Sequence, residues 1–342
     1  MKDGLGREID YLRISLTDKC NLRCGYCMPS DGIQHMDHSE VLSLEEMGRL
    51  VRIMTGLGIK RVRLTGGEPL VRRGVMDFIR MLKSEYGIGN ISMTSNGIML
   101  AEKYTGRYGG MDDIQSECSV AEGLKRAGLS DINISLDTLD PETYRRLTGL
   151  NGVDAVKKGI DAAVLAGLDV KLNCVPVKDI NDREITELMD FAGERGLTVR
   201  FIELMPIGCG TRYKGVPTAE LIAMIEMKYG KASRMEADPS EIKGPAVYYS
   251  FEGYRGRAGF ISPLSHSFCE ECCRVRLTCA GYLKLCLQYP DGADLKTPMR
   301  RGATDSELED MIRSAIMKKP AAHSFGRMDA DYDKRKMVEI GG

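Results

Sequence analysis

YLRISLTDKCNLRCGYCMP, Tyr11 to Pro29, joins the two patterns on which the fold turns. From Tyr11 to Leu16, apolar Leu12, Ile14 and Leu16 alternate with polar Arg13 and Ser15, the period of a β-strand. A loop follows with Cys20, Cys24 and Cys27 spaced C-x3-C-x2-C. Strand-like runs recur at Lys60 to Thr65, Ile91 to Ser95, Asp131 to Leu136, Asp169 to Val175 and Val199 to Met205, with helix-like runs between them. Such alternation predicts a parallel α/β domain, and six βα units suit an incomplete barrel better than a closed eightfold one.

The helices carry their own punctuation. Ser43 with Glu46 forms a capping box that opens a helix through Leu57, with Leu50, Ile53, Met54 and Leu57 on one face. Val120 to Ala127, Val153 to Ala166 and Arg183 to Arg195 read as further helices, the last two closed by Gly167 and Gly196. Ala101 to Ser119 fits neither period and reads as a surface excursion. After Met205 the rhythm breaks at Pro206, Gly208, Gly210, Gly215 and Pro217. A helix at Thr218 to Lys228 and hairpin-like pieces around Tyr248, Tyr254 and Phe260 follow, so we expect a partial barrel over 1–215 and a smaller domain over 216–342.

The polar phase of the strands is unusual. It reads Arg13, Ser15 and Thr17; Arg61, Arg63 and Thr65; Ser92, Thr94 and Asn96; Asn133, Ser135 and Asp137; Lys171 and Asn173. The apolar phase packs on the surrounding helices, which puts these groups in the lumen. A closed barrel fills its centre with branched apolar side chains, and unpaired buried charge is costly. A lumen with arginines and a lysine therefore implies water or a bound anion, phosphate above all. The alternative is a set of edge strands with a solvated face. No Walker-type phosphate loop is present, which disfavours a kinase or ATPase of that kind.

Charge is nearly balanced, 48 basic against 49 acidic residues, and 43% of the chain is apolar, which excludes a disordered chain or a nucleic-acid coat. No run approaches the roughly 20 apolar residues of a membrane-spanning helix. Met1 to Asp10 is charged and lacks a signal peptide's apolar stretch, so a cytoplasmic location is expected. Eleven cysteines in a reducing compartment read as metal ligands or catalytic groups rather than disulfides.

Two cysteine sets stand out. Three thiolates at Cys20, Cys24 and Cys27 can wrap a 4Fe-4S cluster and leave one iron open; the alternative is zinc with a fourth ligand from elsewhere. Cys269, Cys272 and Cys286 form a second trio, C-x2-C-x13-C, with Cys273 and Cys279 as nearby spares and a zinc-ribbon-like structural site as the alternative. Arg274, Arg276 and Thr278 alternate between its ligands. Cys174 falls on the apolar phase of its strand, and Cys118 and Cys209 read as free thiols in irregular segments. His35, His38, His266 and His323 lie in loop-like or tail segments and carry no assignment.

The loop CNLRCGYCMP, with Tyr26 before its third cysteine, resembles the signature of the radical S-adenosylmethionine superfamily. TGGEPL (Thr65 to Leu70), TSNG (Thr94 to Gly97), NISLD (Asn133 to Asp137) and RFIELMPIG (Arg200 to Gly208) extend that resemblance. FCEECCRVRLTCAGYLKLCL (Phe268 to Leu287) and the terminal Gly341-Gly342 narrow it to the GTP-cyclising family that opens molybdenum-cofactor biosynthesis.

The resemblance implies two 4Fe-4S clusters and S-adenosylmethionine as cofactors, GTP as substrate and an α/β partial barrel with a C-terminal iron-sulfur domain. It implies Cys20, Cys24 and Cys27 as ligands of the first cluster, and Tyr26, Gly67, Ser135 and Met205 as contacts of S-adenosylmethionine. Arg13, Arg63, Thr94 and Lys171 would contact GTP; Cys269, Cys272 and Cys286 would hold the second cluster, whose open iron would bind the guanine. Arg274 and Arg276 would contact substrate, and Gly341 and Gly342 would reach into the active site, against a bland reading of the tail as a frayed charged end. A 5′-deoxyadenosyl radical would abstract the C3′ hydrogen of GTP, and C3′ would then attack C8. The implied partners are an external electron donor, a downstream cyclic pyranopterin monophosphate synthase and, as an allowed assembly, a homodimer, with no nucleic acid and no membrane. Cys273 and Cys279 stand where relatives are expected to carry other residues, which opens ligand exchange during cluster assembly. The rivals are a radical enzyme that modifies a peptide, and a non-catalytic zinc or iron-sulfur protein.

Overall fold

Alternating side chains in the first half of the chain form six parallel strands: β1 (Tyr11–Ser15), β2 (Arg61–Thr65), β3 (Asn90–Ser95), β4 (Asp131–Ser135), β5 (Asp169–Cys174) and β6 (Thr198–Ile202). The computed structural model describes residues 1–104, 118–236, 244–325 and 333–341. The expected excursion between Ala101 and Ser119 falls mostly outside them; its two ends meet in a bridge between Lys103 and Ser119.

Between the strands run α1 (Leu44–Gly56), α2 (Val75–Ser84), α3 (Val120–Ala127), α4 (Pro141–Thr148), α5 (Val153–Leu165) and α6 (Ile185–Glu194). The Ser43/Glu46 capping box opens α1 with both reciprocal hydrogen bonds. Another, Ser119 with Glu122, opens α3. The apolar phase is buried as expected, Leu12, Ile14, Val62, Leu64, Ile91, Met93, Ile132 and Ile134 being fully inaccessible, in one continuous core with Leu50, Met54, Phe78, Ile79 and Ile160 of the helices. Cys174 belongs to that core.

The strand expected to run from Val199 to Met205 ends at Ile202. There the Glu203 carboxylate accepts hydrogen bonds from the backbone N–H groups of Leu264 and Ser265, at 2.9 and 3.0 Å, and from Thr218. These bonds tie the end of β6 to the C-terminal half of the chain.

That half continues the same sheet instead of standing apart from it. After α7 (Thr218–Tyr229) come β7 (Ala232–Arg234), β8 (Val247–Phe251) and β9 (Tyr254–Ile261), and β9 pairs in parallel with β6. Then β10 (Arg274–Leu277) pairs in parallel with β1, and β11 (Tyr282–Lys284) and β12 (Gly292–Asp294) follow antiparallel. The strand order is β12-β11-β10-β1-β2-β3-β4-β5-β6-β9-β8-β7. Helices α8 (Lys296–Arg300), α9 (Asp305–Met317) and α10 (Met337–Ile340) complete the described chain. No helix among the described residues is long and apolar enough to cross a membrane.

Candidate active site

Because the helices cover the apolar phase, the polar phase of the strands faces inward, onto a cavity of about 720 Å³. Arg13, Arg63, Thr94, Ser135 and Lys171 line it from the strands, and Arg274 and Arg276 from β10. The register of β1 and β10 sets Arg13 beside Arg276 and Tyr11 beside Arg274. Cys27 and Tyr26 line the same cavity from the first cysteine loop, Met205 lines it beyond β6, and Cys269, Cys272 and Cys286 line it from the second trio.

The first cysteine loop folds on itself through N–H groups of Cys27 and Met28, which donate to the Cys24 carbonyl at 2.8 and 3.0 Å. The Leu22 N–H points at the Cys20 sulfur, 3.4 Å away. Gly67 is required beside this loop, since a Cβ there would lie 2.3 Å from the Lys19 carbonyl oxygen and 3.0 Å from the Cys20 Cβ. Burial and the neighbouring Cys27 charge push the Cys24 thiol well up. Burial, then Asp137 and Cys20, push the Cys27 thiol up to about 12. Three half-buried thiols, two of them raised by a neighbouring cysteine's charge, fit a cationic iron-sulfur centre, which would supply the missing positive charge.

At the second trio the balance is reversed. Burial pushes the Cys269 thiol up, but hydrogen bonds from His323 and Ser267 outweigh it and bring it down to about 6. Burial likewise opposes ionisation of Cys272, and Lys319 and Arg274 overcome it. Thiolates favoured by their surroundings suit soft metal centres. Among the described residues no three Cys, His, Asp or Glu side chains are gathered tightly enough to hold a single metal ion. The spare cysteines point elsewhere. Cys273 accepts a hydrogen bond from Arg61 at 3.2 Å, and Cys279 is fully buried in the core.

The charge of the lumen differs from the sequence-based expectation of cations awaiting an anion, because the chain supplies several partners itself. Arg63 donates to the Tyr11 hydroxyl at 2.5 Å and to Asp131 at 3.2 Å; Lys171 pairs with Asp169, and Arg61 with Asp10 at 2.6 Å. Asp131 and Asp169 open their strands on the polar phase and line the lumen, a signal the sequence reading did not take up. An excess of positive charge persists all the same. Burial and the Arg276 guanidinium hold Arg13 well below the usual arginine range, and burial and Arg274 bring Arg276 down to about 10. Arg200, Arg257 and Lys319 add further cations to the lining, and buried Arg200 Nη2 and Asn133 Oδ1 have no hydrogen-bond partner among the described residues. Such a lining is built to receive an anion rich in oxygen acceptors.

Tyr26 donates to Asp137 at 2.5 Å, and burial lifts that carboxyl to about 6. Glu68, buried behind the first loop, accepts from Ser95, Leu70 N–H and Asn96 N–H. His323, left without an assignment by sequence alone, lines the cavity, and its backbone N–H lies 3.5 Å from the Cys269 sulfur. No periodicity or spacing links a lone histidine to a cysteine 54 residues away.

The end of the chain enters the site. Gly341 is buried, with φ at +86°, and a Cβ there would meet the Ser15 Cβ at 2.7 Å and Thr65 Oγ1 at 3.0 Å. Its carbonyl accepts a 2.6 Å hydrogen bond from Arg276. The tail is therefore not frayed over 333–341; Gly342 lies outside the described residues.

Two family models match the chain: the radical SAM superfamily over residues 14–192 and Molybdenum Cofactor Synthesis C over 197–325. The chain is 42% identical to a GTP 3′,8-cyclase of Clostridium perfringens strain 13 over 342 residues, covering all of both chains. It is similarly 42% identical to GTP 3′,8-cyclases of Syntrophomonas wolfei and Moorella thermoacetica, again over the full length of each. Among solved structures it resembles Streptococcus suis SuiB bound to S-adenosylmethionine, with a TM-score of 0.62 at 15% identity, covering 91% of this chain and 68% of that one. At that identity the likeness is one of fold.

Proposed function

The chain belongs to the radical SAM superfamily and, within it, to the GTP 3′,8-cyclases, and from that membership we propose how its chamber holds GTP for cyclisation. A 4Fe-4S cluster and S-adenosylmethionine are the cofactors of the first half of the chain; a second cluster at Cys269, Cys272 and Cys286 is part of our reading. The observation that carries it is one cavity of about 720 Å³ lined by Cys27 of the first trio, by all three cysteines of the second and by the cationic strand faces between them.

In this reading Cys20, Cys24 and Cys27 hold the first cluster, and Tyr26, Gly67, Ser135 and Met205 surround S-adenosylmethionine. When bound, the first cluster and S-adenosylmethionine supply the electron and the carbon radical that start the reaction. The chain's own residues do the placing. Arg13, Arg63 and Lys171 neutralise the triphosphate, with Thr94 beside them, while Arg274 and Arg276 fix the nucleotide at the second trio. Tyr11, Asp131 and Asp169 keep Arg63 and Lys171 extended into the chamber before substrate arrives, which lowers the cost of ordering them. Gly341 lies on Arg276, packed against Ser15 of β1 and Thr65 of β2. Residues 1–215 thus generate the reactive species and bind the triphosphate, and 216–342 complete the substrate site through Arg274 and Arg276. An external one-electron donor and a downstream cyclic pyranopterin monophosphate synthase are the partners this chemistry requires.

The test is anaerobic reconstitution with iron, sulfide, dithionite and S-adenosylmethionine, with and without GTP. We expect 5′-deoxyadenosine and a cyclised nucleotide together, and an iron content matching two clusters. Formation of 5′-deoxyadenosine with GTP unbound and unchanged would overturn the substrate placement. Loss of half the iron without loss of GTP turnover in Cys272→Ser would overturn the second cluster's role.

A further inference from the structure

The segment that carries Gly341 into the chamber begins at a buried ion pair. Lys284, at the end of β11, is wholly inaccessible, and its ammonium contacts the Asp333 carboxylate and the Tyr289 carbonyl, the latter at 2.7 Å. Asp333 is almost as buried, and its backbone N–H donates to the Gln288 carbonyl at 2.7 Å. The same carboxylate accepts from the Arg335 backbone N–H at 2.9 Å and from its guanidinium at 2.7 and 2.9 Å, turning the chain, while that guanidinium lies over the Tyr282 ring. From this turn α10 starts, with Val338 and Ile340 buried, and it delivers Gly341 to Arg276.

We propose that the Lys284–Asp333 pair is the anchor that seats the C-terminal tail, a positioning device that sets how far Gly341 reaches into the chamber. Two arguments carry it. A buried ammonium and carboxylate paired with each other are strongly favoured over either one left alone, which holds Asp333 at Lys284. From that fixed point only a turn and the four residues of α10 separate Asp333 from Gly341, and with α10 helical and its Val338 and Ile340 buried the depth of Gly341 follows from where Asp333 is held. The anchor also sits on the strand that leads to Cys286, so the tail is registered against the loop of the second trio. The proposal rests on the reading of the tail as part of the reaction, and the experiment separates the two.

Lys284→Met, Asp333→Asn and the charge-free pair Lys284→Met/Asp333→Leu are compared with the parent as full chains with clusters reconstituted. The first readout is the rate of tryptic cleavage after Lys334, Arg335 and Lys336, followed by mass spectrometry. The second is kcat and KM for GTP beside 5′-deoxyadenosine formation without GTP. We expect cleavage at those sites to rise at least about tenfold in each single variant, since cleavage follows the open population. The same rise is expected in the double variant, which leaves no unpaired buried charge and so keeps the fold. kcat for GTP should fall about tenfold with little change in KM, and 5′-deoxyadenosine formation without GTP should persist. Unchanged cleavage in all three overturns the anchor. Faster cleavage with unaltered GTP turnover upholds the anchor and removes the tail from the reaction.

Discussion

Arg276 meets its surroundings on two sides, with Arg13 across the β1–β10 pairing and the Gly341 carbonyl at the tip of its guanidinium. Truncating it removes one charge from the anion site and the hydrogen bond that receives the tail. Arg276→Ala should lower GTP turnover about tenfold to a hundredfold while leaving 5′-deoxyadenosine formation without GTP in place, as measured by product chromatography. Glu68 makes a different prediction. Burial lifts its carboxyl to about 7, from an ordinary value near 4.5, despite three hydrogen bonds that favour the charge. Between those values the folded chain holds a proton that the unfolded chain has lost, so the stabilisation is present below pH 4.5 and fades as pH rises to 7. Urea melts of the cluster-free chain should lose about 3 kcal/mol across that window, and Glu68→Gln should flatten the slope. At this scale the alternation was a good guide for Arg13, Arg63, Thr94, Ser135 and Lys171, because one face of a strand is one side of the sheet. The same phase holds Asp131, Asp169 and Arg200, which the sequence reading passed over although the signal was there. His323 was out of reach, since its place beside Cys269 is made by tertiary folding alone.

Elements show the same mixture. Helix α1 was readable from end to end, because its capping box and apolar stripe are local signals. Ser43→Ala should cost about 1 kcal/mol in chemical denaturation, the usual loss for an N-cap, with the cavity residues untouched. Strand β6 was read too long because Glu203, polar at the end of an apolar run, is captured by Thr218, Leu264 and Ser265 from distant parts of the chain. The hairpin of β8 and β9 was visible in its tyrosines and Phe260, but its parallel seat against β6 was not. A parallel neighbour far along the chain leaves no turn signature in the sequence.

For the whole molecule the decisive property is a cationic chamber that the chain satisfies only in part. Inorganic tripolyphosphate should raise the melting temperature by about 2 to 5 °C at saturation, and the gain should shrink as sodium chloride is raised. An unchanged melting curve at low salt would show that the lumen does not receive phosphate. The partial barrel was legible because six repeats of one pattern are redundant. The break after Met205 was read as the start of a second domain, and a family model of its own does match there; what the sequence did not show is that its strands extend the first sheet on both flanks.

The pairing of β10 with β1 has a consequence for how the molecule is made. During synthesis β1 acquires one neighbour when β2 is complete, but its other edge waits until Arg274 to Leu277 have been translated. Until then a nascent chain displays unsatisfied amides beside three unligated thiols, an invitation to aggregation and oxidation. Synthesis under anoxic, chaperone-rich conditions should therefore raise the yield of intact protein more than any later refolding step.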